Sequence, residues 1–286
     1  MSRQLAAVVG DHSQDDTWTS AMAGIKAAVN DKLWDATQGL FFDNDRNQAA
    51  DSVHPQDGNS WVIIAGLVDA DRASAISTSL MNRWVRPYGA PAPEAGATIS
   101  PFASGFEVQA HFLAGFPERA LDLIEFMWCD FMLDDPRMTN SSFIEGYSTN
   151  GNLHYAPYSN DARISHAHGW ATSPTSSLSY YAAGLRITSG AGKTWVVQPS
   201  LGGLEHVEAG YRTPLGQFSA SWDASGSRVL TGDFTTPSGT SGTLILPGSL
   251  TSVTVNGPKG RVQPTVKDGL LTFVNLPGGG YRVRTN

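Results

Sequence analysis

The chain has 286 residues, 41% of them hydrophobic, and a formal net charge of −7, enough to bury a core as one large or two modest domains. Its 19 Lys and Arg are outnumbered by 26 Asp and Glu and lie scattered, which excludes a phosphate-binding surface and with it a nucleic-acid partner. The best apolar stretch, residues 61–68, is interrupted by Gly66 and falls far short of the roughly 18 to 20 residues that cross a bilayer, so no membrane partner is expected.

At the amino terminus, residues 5–9 are apolar but too short for a signal-peptide core. The sequence therefore points to a cytoplasmic protein or to a start that is not the natural one. Over residues 17–33 the apolar Trp18, Met22, Ile25, Val29 and Leu33 recur at three and four positions after the acidic pair Asp15-Asp16, which predicts an amphipathic helix. Further helices are expected at about 60–68, 72–84, 103–114, 118–131 and 175–186, six in all. Cys129 is the only cysteine; its neighbours Phe126, Met127, Trp128 and Phe131 predict a buried thiol, and no disulfide is possible within the chain.

After Ser189 the helical period disappears, and short runs at 194–198, 217–222, 227–230, 242–246, 252–255, 270–274 and 281–284 are separated by Gly, Pro and Asn. Seven such runs predict an antiparallel β-sandwich, with a hairpin turn at Asn256-Gly257. The expected division is a helical domain over 1–189 and a sandwich over 190–286.

The long segment 133–174 between the fifth and sixth helices carries the densest polar and aromatic content, and long irregular segments are disproportionately functional. Its mixture of carboxylates, imidazoles and rings suits a sugar, whose hydroxyls take directional hydrogen bonds while its C–H faces stack. Within Asn140-Ser141-Ser142-Phe143-Ile144-Glu145-Gly146-Tyr147 no Lys or Arg accounts for Glu145 as a surface ion pair. Apolar surroundings would raise its pKa toward acid or base work, whereas an ordinary loop glutamate would simply be solvated. His166 and His168 lie two apart beside Trp170; a metal would need a third ligand that the sequence does not identify, so sugar contacts or packed histidines are the readings.

Other stretches that could line the same cleft contain Asp57 and Trp61, Glu94, and Glu107. Helix capping by Asp57, Asn59 and Ser60, and a dipole-favoured first-turn position for Glu107, are the plainer alternatives. Phosphate loops, Rossmann fingerprints, G-x-S-x-G and H-E-x-x-H are absent from the sequence, so no cofactor is expected.

The run from Asp134-Asp135-Pro136-Arg137-Met138-Thr139 through Glu145-Gly146-Tyr147, then Leu153-His154-Tyr155-Ala156-Pro157-Tyr158 and Arg163-Ile164-Ser165-His166-Ala167-His168-Gly169-Trp170, resembles fungal members of the inverting α-L-rhamnosidase family. The resemblance extends to Tyr88-Gly89-Ala90-Pro91-Ala92-Pro93-Glu94-Ala95-Gly96, to residues 99–107 and to the carboxy-terminal tail. Bacterial members have Arg and Trp after the glutamate where this chain has Gly146 and Tyr147. The resemblance implies a toroid of six α-hairpins followed by a terminal β-sandwich and a rhamnosylated glycan or glycoside as substrate. It implies Glu145 as the general base and His166 as the catalytic-site histidine that contacts the bound sugar; Asp57, Trp61, Glu94, Glu107, Tyr147, His168 and Trp170 are the candidate substrate contacts around them, from the residues themselves. It also implies an extracellular protein, for which this chain has no signal peptide.

A six-hairpin toroid needs twelve helices and about six are expected here, so the reading is a partial toroid without its general-acid half. An amino-terminal half or oligomer partner would then complete it, and an apolar patch around Trp18, Met22 and Ile25 is expected where that partner is missing. The alternatives are a non-catalytic glycan-binding protein and an activity on uronic-acid glycans, for which Arg137 or Arg163 would hold the carboxylate.

Overall fold

The computed structural model describes residues 2–49, 52–225, 229–250 and 252–285. Its helices are α1 (Ser2–Val8), α2 (Asp15–Lys32), α3 (Gln56–Ile64), α4 (Ala70–Met81), α5 (Pro101–Leu113), α6 (Pro117–Leu123) and α7 (Pro174–Ser177). Capping chemistry sets several starts. Asp69 accepts the Arg72 N–H at 2.9 Å ahead of α4, and Ser100 with Pro101 at the first position opens α5, the pairing expected where orphan N–H groups need acceptors.

Helix α5 is the centre of the helical part. Nine of its residues, among them Val108, Ala110 and Phe112, are buried, and it packs on α3, α6 and the turn at Gly169–Thr172. One core gathers Val108, Leu123, Met127, Trp128, Ile144 and Tyr147. A smaller one joins Leu40 and Phe41 to Val62, Ile63, Ile76 and Leu80 of α3 and α4. Helix α2 has no buried residue. Its Val29 and Leu33 reach the smaller core, while Met22 and Ile25 stay 62% and 58% exposed, so the expected apolar patch is present with Trp18 partly covered.

Three helical expectations change. The run over 118–131 is continuous, but Ile124–Phe131 winds as a π-helix. The wider turn keeps Phe126, Met127, Trp128 and Phe131 inside and turns Cys129 outward, so the thiol is exposed rather than buried. The last helix passes into a π-turn at Leu178–Ala182 and stops before Gly184. Gly184 has φ +72°, and a Cβ there would lie 2.1 Å from the Gln198 carbonyl carbon, so only glycine lets the chain turn into strand β5 (Leu185–Ile187) against β6 (Thr194–Val197). Helix α1 forms over residues whose sequence predicted no element.

Two-stranded pairs join β1 (Trp34–Asp35) to β2 (Leu40–Phe41) and β3 (Thr98–Ile99) to β4 (Tyr147–Ser148). The remaining strands, β5 and β6 followed by β7 (His206–Thr213), β8 (Gly216–Ser225), β9 (Val229–Pro247), β10 (Thr254–Gly257), β11 (Gly260–Val262), β12 (Thr265–Lys267) and β13 (Leu270–Arg284), make one nine-stranded sheet. Because it includes β5, the sheet starts ahead of residue 190. The long β9 and β13 pair along most of their length, with irregularities between Phe273 and Leu276 and between Pro277 and Gly279. One half of β9 pairs with β8 and the other runs parallel to β6. This β-sandwich-like arrangement encloses Trp195, Phe218, Trp222, Phe234, Leu244 and Phe273.

Expected strands at 242–246, 270–274 and 281–284 are thus parts of two long ones, and β7, β11 and β12 were not expected. Residues 227 and 228 of the expected run 227–230 lie outside the described residues. Asn256-Gly257 is not the turn: Asn256 pairs with Arg261 and Gly257 with Gly260. Pro258, with φ preset and no N–H for a ladder, takes the turn instead.

Candidate functional site

Glu145 is held by two crossing loop segments. The Glu145 N–H donates to the Ser165 carbonyl at 2.8 Å and the His168 N–H to the Phe143 carbonyl at 2.9 Å, while Ser142 Oγ donates to the His166 carbonyl at 2.6 Å. Beyond Glu145, Tyr147 pairs with Ile99 in the β3–β4 ladder. This pairing brings the loop to the start of α5.

The side chain of Glu145 is 14% exposed. Its Oε1 accepts the Tyr158 hydroxyl and its Oε2 the Ser165 N–H at 3.1 Å, with His168 Nδ1 4.0 Å from Oε1. The surroundings are therefore polar donors, not the apolar pocket expected. Hydrogen bonding to Glu145 pushes the Tyr158 phenol above its ordinary range, with lesser contributions from burial and the nearby charge. Tyr158 is a contact that sequence reasoning missed, although it lies in the quoted motif.

His168 stacks obliquely near Trp170, ring centres 5.6 Å apart, and Trp170 is 66% exposed. The half-buried His166 spends its backbone carbonyl on Ser142, and its ring has no hydrogen-bond partner among the described residues. Glu145, Tyr158, His168 and Trp170 thus form one polar and aromatic group, and His166 is tied to the same loop through its backbone carbonyl.

Two expected sugar contacts are sealed inside. Tyr147 is fully buried, donates its hydroxyl to the Tyr88 carbonyl at 2.6 Å and packs on Phe131, leaving no ring face for stacking. Burial drives its phenol well above the usual range. Glu107, 1% exposed, accepts Trp84 Nε1 at 2.5 Å and Gln56 Nε2 at 2.7 Å and lies 3.3 Å from His111 Nε2. His111 continues through Ser77 to Arg119, so Glu107 anchors a buried network. Neither the sugar contact nor the dipole position expected of it is its role.

Glu94 accepts the N–H groups of Gln56 and Asp57 at 2.9 and 3.2 Å. It caps α3 from across the fold, because the residue before the helix is Pro55, which has no capping side chain. Burial raises its pKa against the pull of those hydrogen bonds. Asp57 is exposed at the same helix entrance. Asn59 and Ser60 are buried, Asn59 bonding to both backbone groups of Phe41. Trp61, 47% exposed, meets Phe106 at 4.9 Å, and Phe106 meets the exposed Phe102 at 4.9 Å. The i, i+4 spacing of Phe102 and Phe106 was the available signal for this aromatic patch. Arg137 is engaged by Asp135 and the Gly151 carbonyl, and Arg163 lies over the Tyr158 ring. Among the described residues, no three His, Cys, Asp or Glu side chains converge as a metal site, and no helix is long and apolar enough to cross a membrane.

Residues 184–261 match the family model of the bacterial α-L-rhamnosidase C-terminal domain. Similar solved structures include the α-L-rhamnosidase of Dictyoglumus thermophilum, with TM-score 0.68 and 13% identity over 99% of this chain and 30% of that one. The GH78 rhamnosidase of Bacillus sp. GL1 gives 0.62 and 20% over 86% of this chain and 24% of that one. The Streptomyces avermitilis α-L-rhamnosidase, solved with L-rhamnose, gives 0.58 and 13% over 98% and 25%. The chain therefore spans at most 30% of the length of these relatives. No curated protein matches it. Its mixed helix and sheet fold resembles the part of these solved α-L-rhamnosidases that it covers.

Proposed function

We propose, from the membership of residues 184–261 in the α-L-rhamnosidase C-terminal domain family, that this chain is the carboxy-terminal part of an inverting α-L-rhamnosidase in which Glu145 is the general base. The observation that supports this most is the setting of Glu145: a mostly buried carboxylate held from two sides by Tyr158 and Ser165, with His168 4.0 Å away and the exposed Trp170 next to that imidazole. In this reading Glu145 takes the proton of a water attacking the anomeric carbon, His166 and His168 bond sugar hydroxyls, and Trp170 covers a C–H face. Asp57 and Trp61 line the neighbouring rim. No metal or cofactor takes part.

An inverting pair needs a second carboxyl roughly 6.5 to 9.5 Å away that protonates the leaving oxygen. Glu107 is enclosed and Glu94 is spent on the α3 N–H groups. We infer that the general acid comes from polypeptide outside these residues, as do the remaining hairpins of a six-hairpin toroid that would cover Met22 and Ile25 on α2. In this organisation the helical portion ends near Gly184 and the terminal sandwich domain begins with β5, a few residues ahead of the expected boundary at 190.

The test is calorimetry with L-rhamnose together with turnover of an aryl α-L-rhamnoside by this chain. Weak binding that is lost in His166→Ala, without turnover, is expected. Turnover abolished by Glu145→Gln would overturn the external acid, and binding unchanged in His166→Ala would remove His166 from the site.

A further inference from the structure

At the opposite end of α5 from the Glu145 loop, about 18 Å along the helix at 1.5 Å per residue, a cavity of about 190 Å³ is lined by Phe112, Leu113, Tyr181, Arg186, Gln198 and Ser200. Arg186 stands on β5 opposite Val196. Its Nη2 donates to Gln198 Oε1 at 2.6 Å, and its buried Nε–H meets no acceptor. Among the described residues, no carboxylate pairs with it. Burial pulls this guanidinium below its ordinary range, with Tyr181 opposing. A partly buried cation without a counter-charge is costly, and an anion is what relieves the cost.

The other polar groups of the cavity are also donors in waiting. Tyr181 accepts Gln109 Nε2 at 2.8 Å, which leaves its own hydroxyl proton uncommitted. The Gln198 amide oxygen is occupied by Arg186, so the amide faces other groups only through its N–H bonds. Ser200 adds a hydroxyl. Leu113 and the stacked rings of Phe112 and Tyr181, 5.5 Å apart and inclined by 20°, complete the lining, with the Arg186 guanidinium 5.7 Å over the Tyr181 ring. Donors without acidic residues select an oxyanion; a planar guanidinium fork matches a carboxylate, and the apolar wall suits the carbon skeleton attached to it.

We propose that this cavity is a binding site for a small organic carboxylate, separate from the Glu145 group and independent of the glycosidase reading. Calorimetry with glucuronate, glucose and inorganic phosphate tests it. Glucuronate is expected to bind once per chain, more weakly as salt is added, and at least about tenfold more weakly to Arg186→Met, since a hydrogen-bonded charge is lost. Glucose, equal in size but neutral, is expected not to bind.

Tyr181→Phe removes one hydroxyl with little change in shape and is expected to weaken binding about threefold or more, from the loss of one hydrogen bond. It serves as the deciding variant if Arg186→Met does not fold. Absence of glucuronate binding, equal binding by glucose, phosphate binding as tight as glucuronate, or an affinity unchanged in the folded variant would each overturn the proposal.

Discussion

Tyr158 donates its hydroxyl to Oε1 of Glu145 while the Ser165 N–H holds the other oxygen, so the carboxylate is fixed through both atoms. The same contact acts on the phenol, whose titration lies above its ordinary value of 10.0, chiefly because of the bond to Glu145. Glu145→Gln removes the charge and keeps the shape. Tyr158 is then expected to titrate lower, closer to its ordinary value, in an NMR titration of ring-labelled tyrosine. An unmoved midpoint would separate Tyr158 from Glu145 in solution, whatever the chain does to rhamnosides.

The residue after Glu145 controls this arrangement through space rather than charge. A Cβ on Gly146 would sit 2.3 Å from Tyr155 Cε2, and Tyr155 packs edge-on against Tyr158 at 5.2 Å. Gly146→Ala must displace the Tyr155 ring and with it Tyr158. A loss of roughly 1–3 kcal/mol is expected for such overpacking, read by chemical denaturation. The elevated Tyr158 titration should fall in the same variant, whereas Tyr155→Leu should relieve the clash and restore part of the stability.

These two contacts also show where reading the sequence succeeds and where it stops. Helical period located α2 to α6 because apolar spacing is a local signal, while the Asp69 and Ser100 caps that set the starts of α4 and α5 emerged only from the structure. Motif resemblance drew attention to the loop in which Glu145, His168 and Trp170 are neighbours. The burial of Tyr147 and Glu107 was not legible, because it depends on partners far along the chain: Tyr88 for one, Trp84 and Gln56 for the other. Cys129 misled for a related reason, since a π-turn changes which residues of an apolar run face inward. The long β9 and β13 read as fragments because their Gly and Pro residues fall at irregularities within paired strands, not at ends.

Glu107 joins α5 to α3 and to Trp84, so its removal should be felt as stability. Glu107→Ala leaves Trp84 Nε1 without its acceptor inside the protein and takes from Gln56 Nε2 the shortest of its three contacts, and Gln56 Oε1 already lacks a donor. Stripping one member from a buried ionic network costs roughly 3–5 kcal/mol. Glu107→Gln, which keeps one acceptor, should lose about 1–2 kcal/mol. Urea unfolding of both variants checks the order; equal and small losses would mean that the network does not hold the helices together.

Glu94 is exposed as a residue while its carboxylate is tucked against the N–H groups of α3, and the partial desolvation of that carboxylate sets the sign of a pH dependence. Its folded pKa is raised above the ordinary 4.5 because burial outweighs the bonds from Gln56 and Asp57. In the window from 4.5 up to that folded value the native state holds more protons than the unfolded chain, so this group's contribution to stability falls as pH rises through it. Below 4.5 the contribution is fully present. Glu94→Gln cannot ionise, yet its amide oxygen can still accept one α3 N–H, so the variant should show a flatter stability profile across the window while keeping the helix. Thermal unfolding from pH 4 to pH 7 measures this, with other carboxylates common to both proteins. A wild-type slope no steeper than that of the variant would mean that burial does not govern Glu94, and that the helix N–H groups hold it in its charged form.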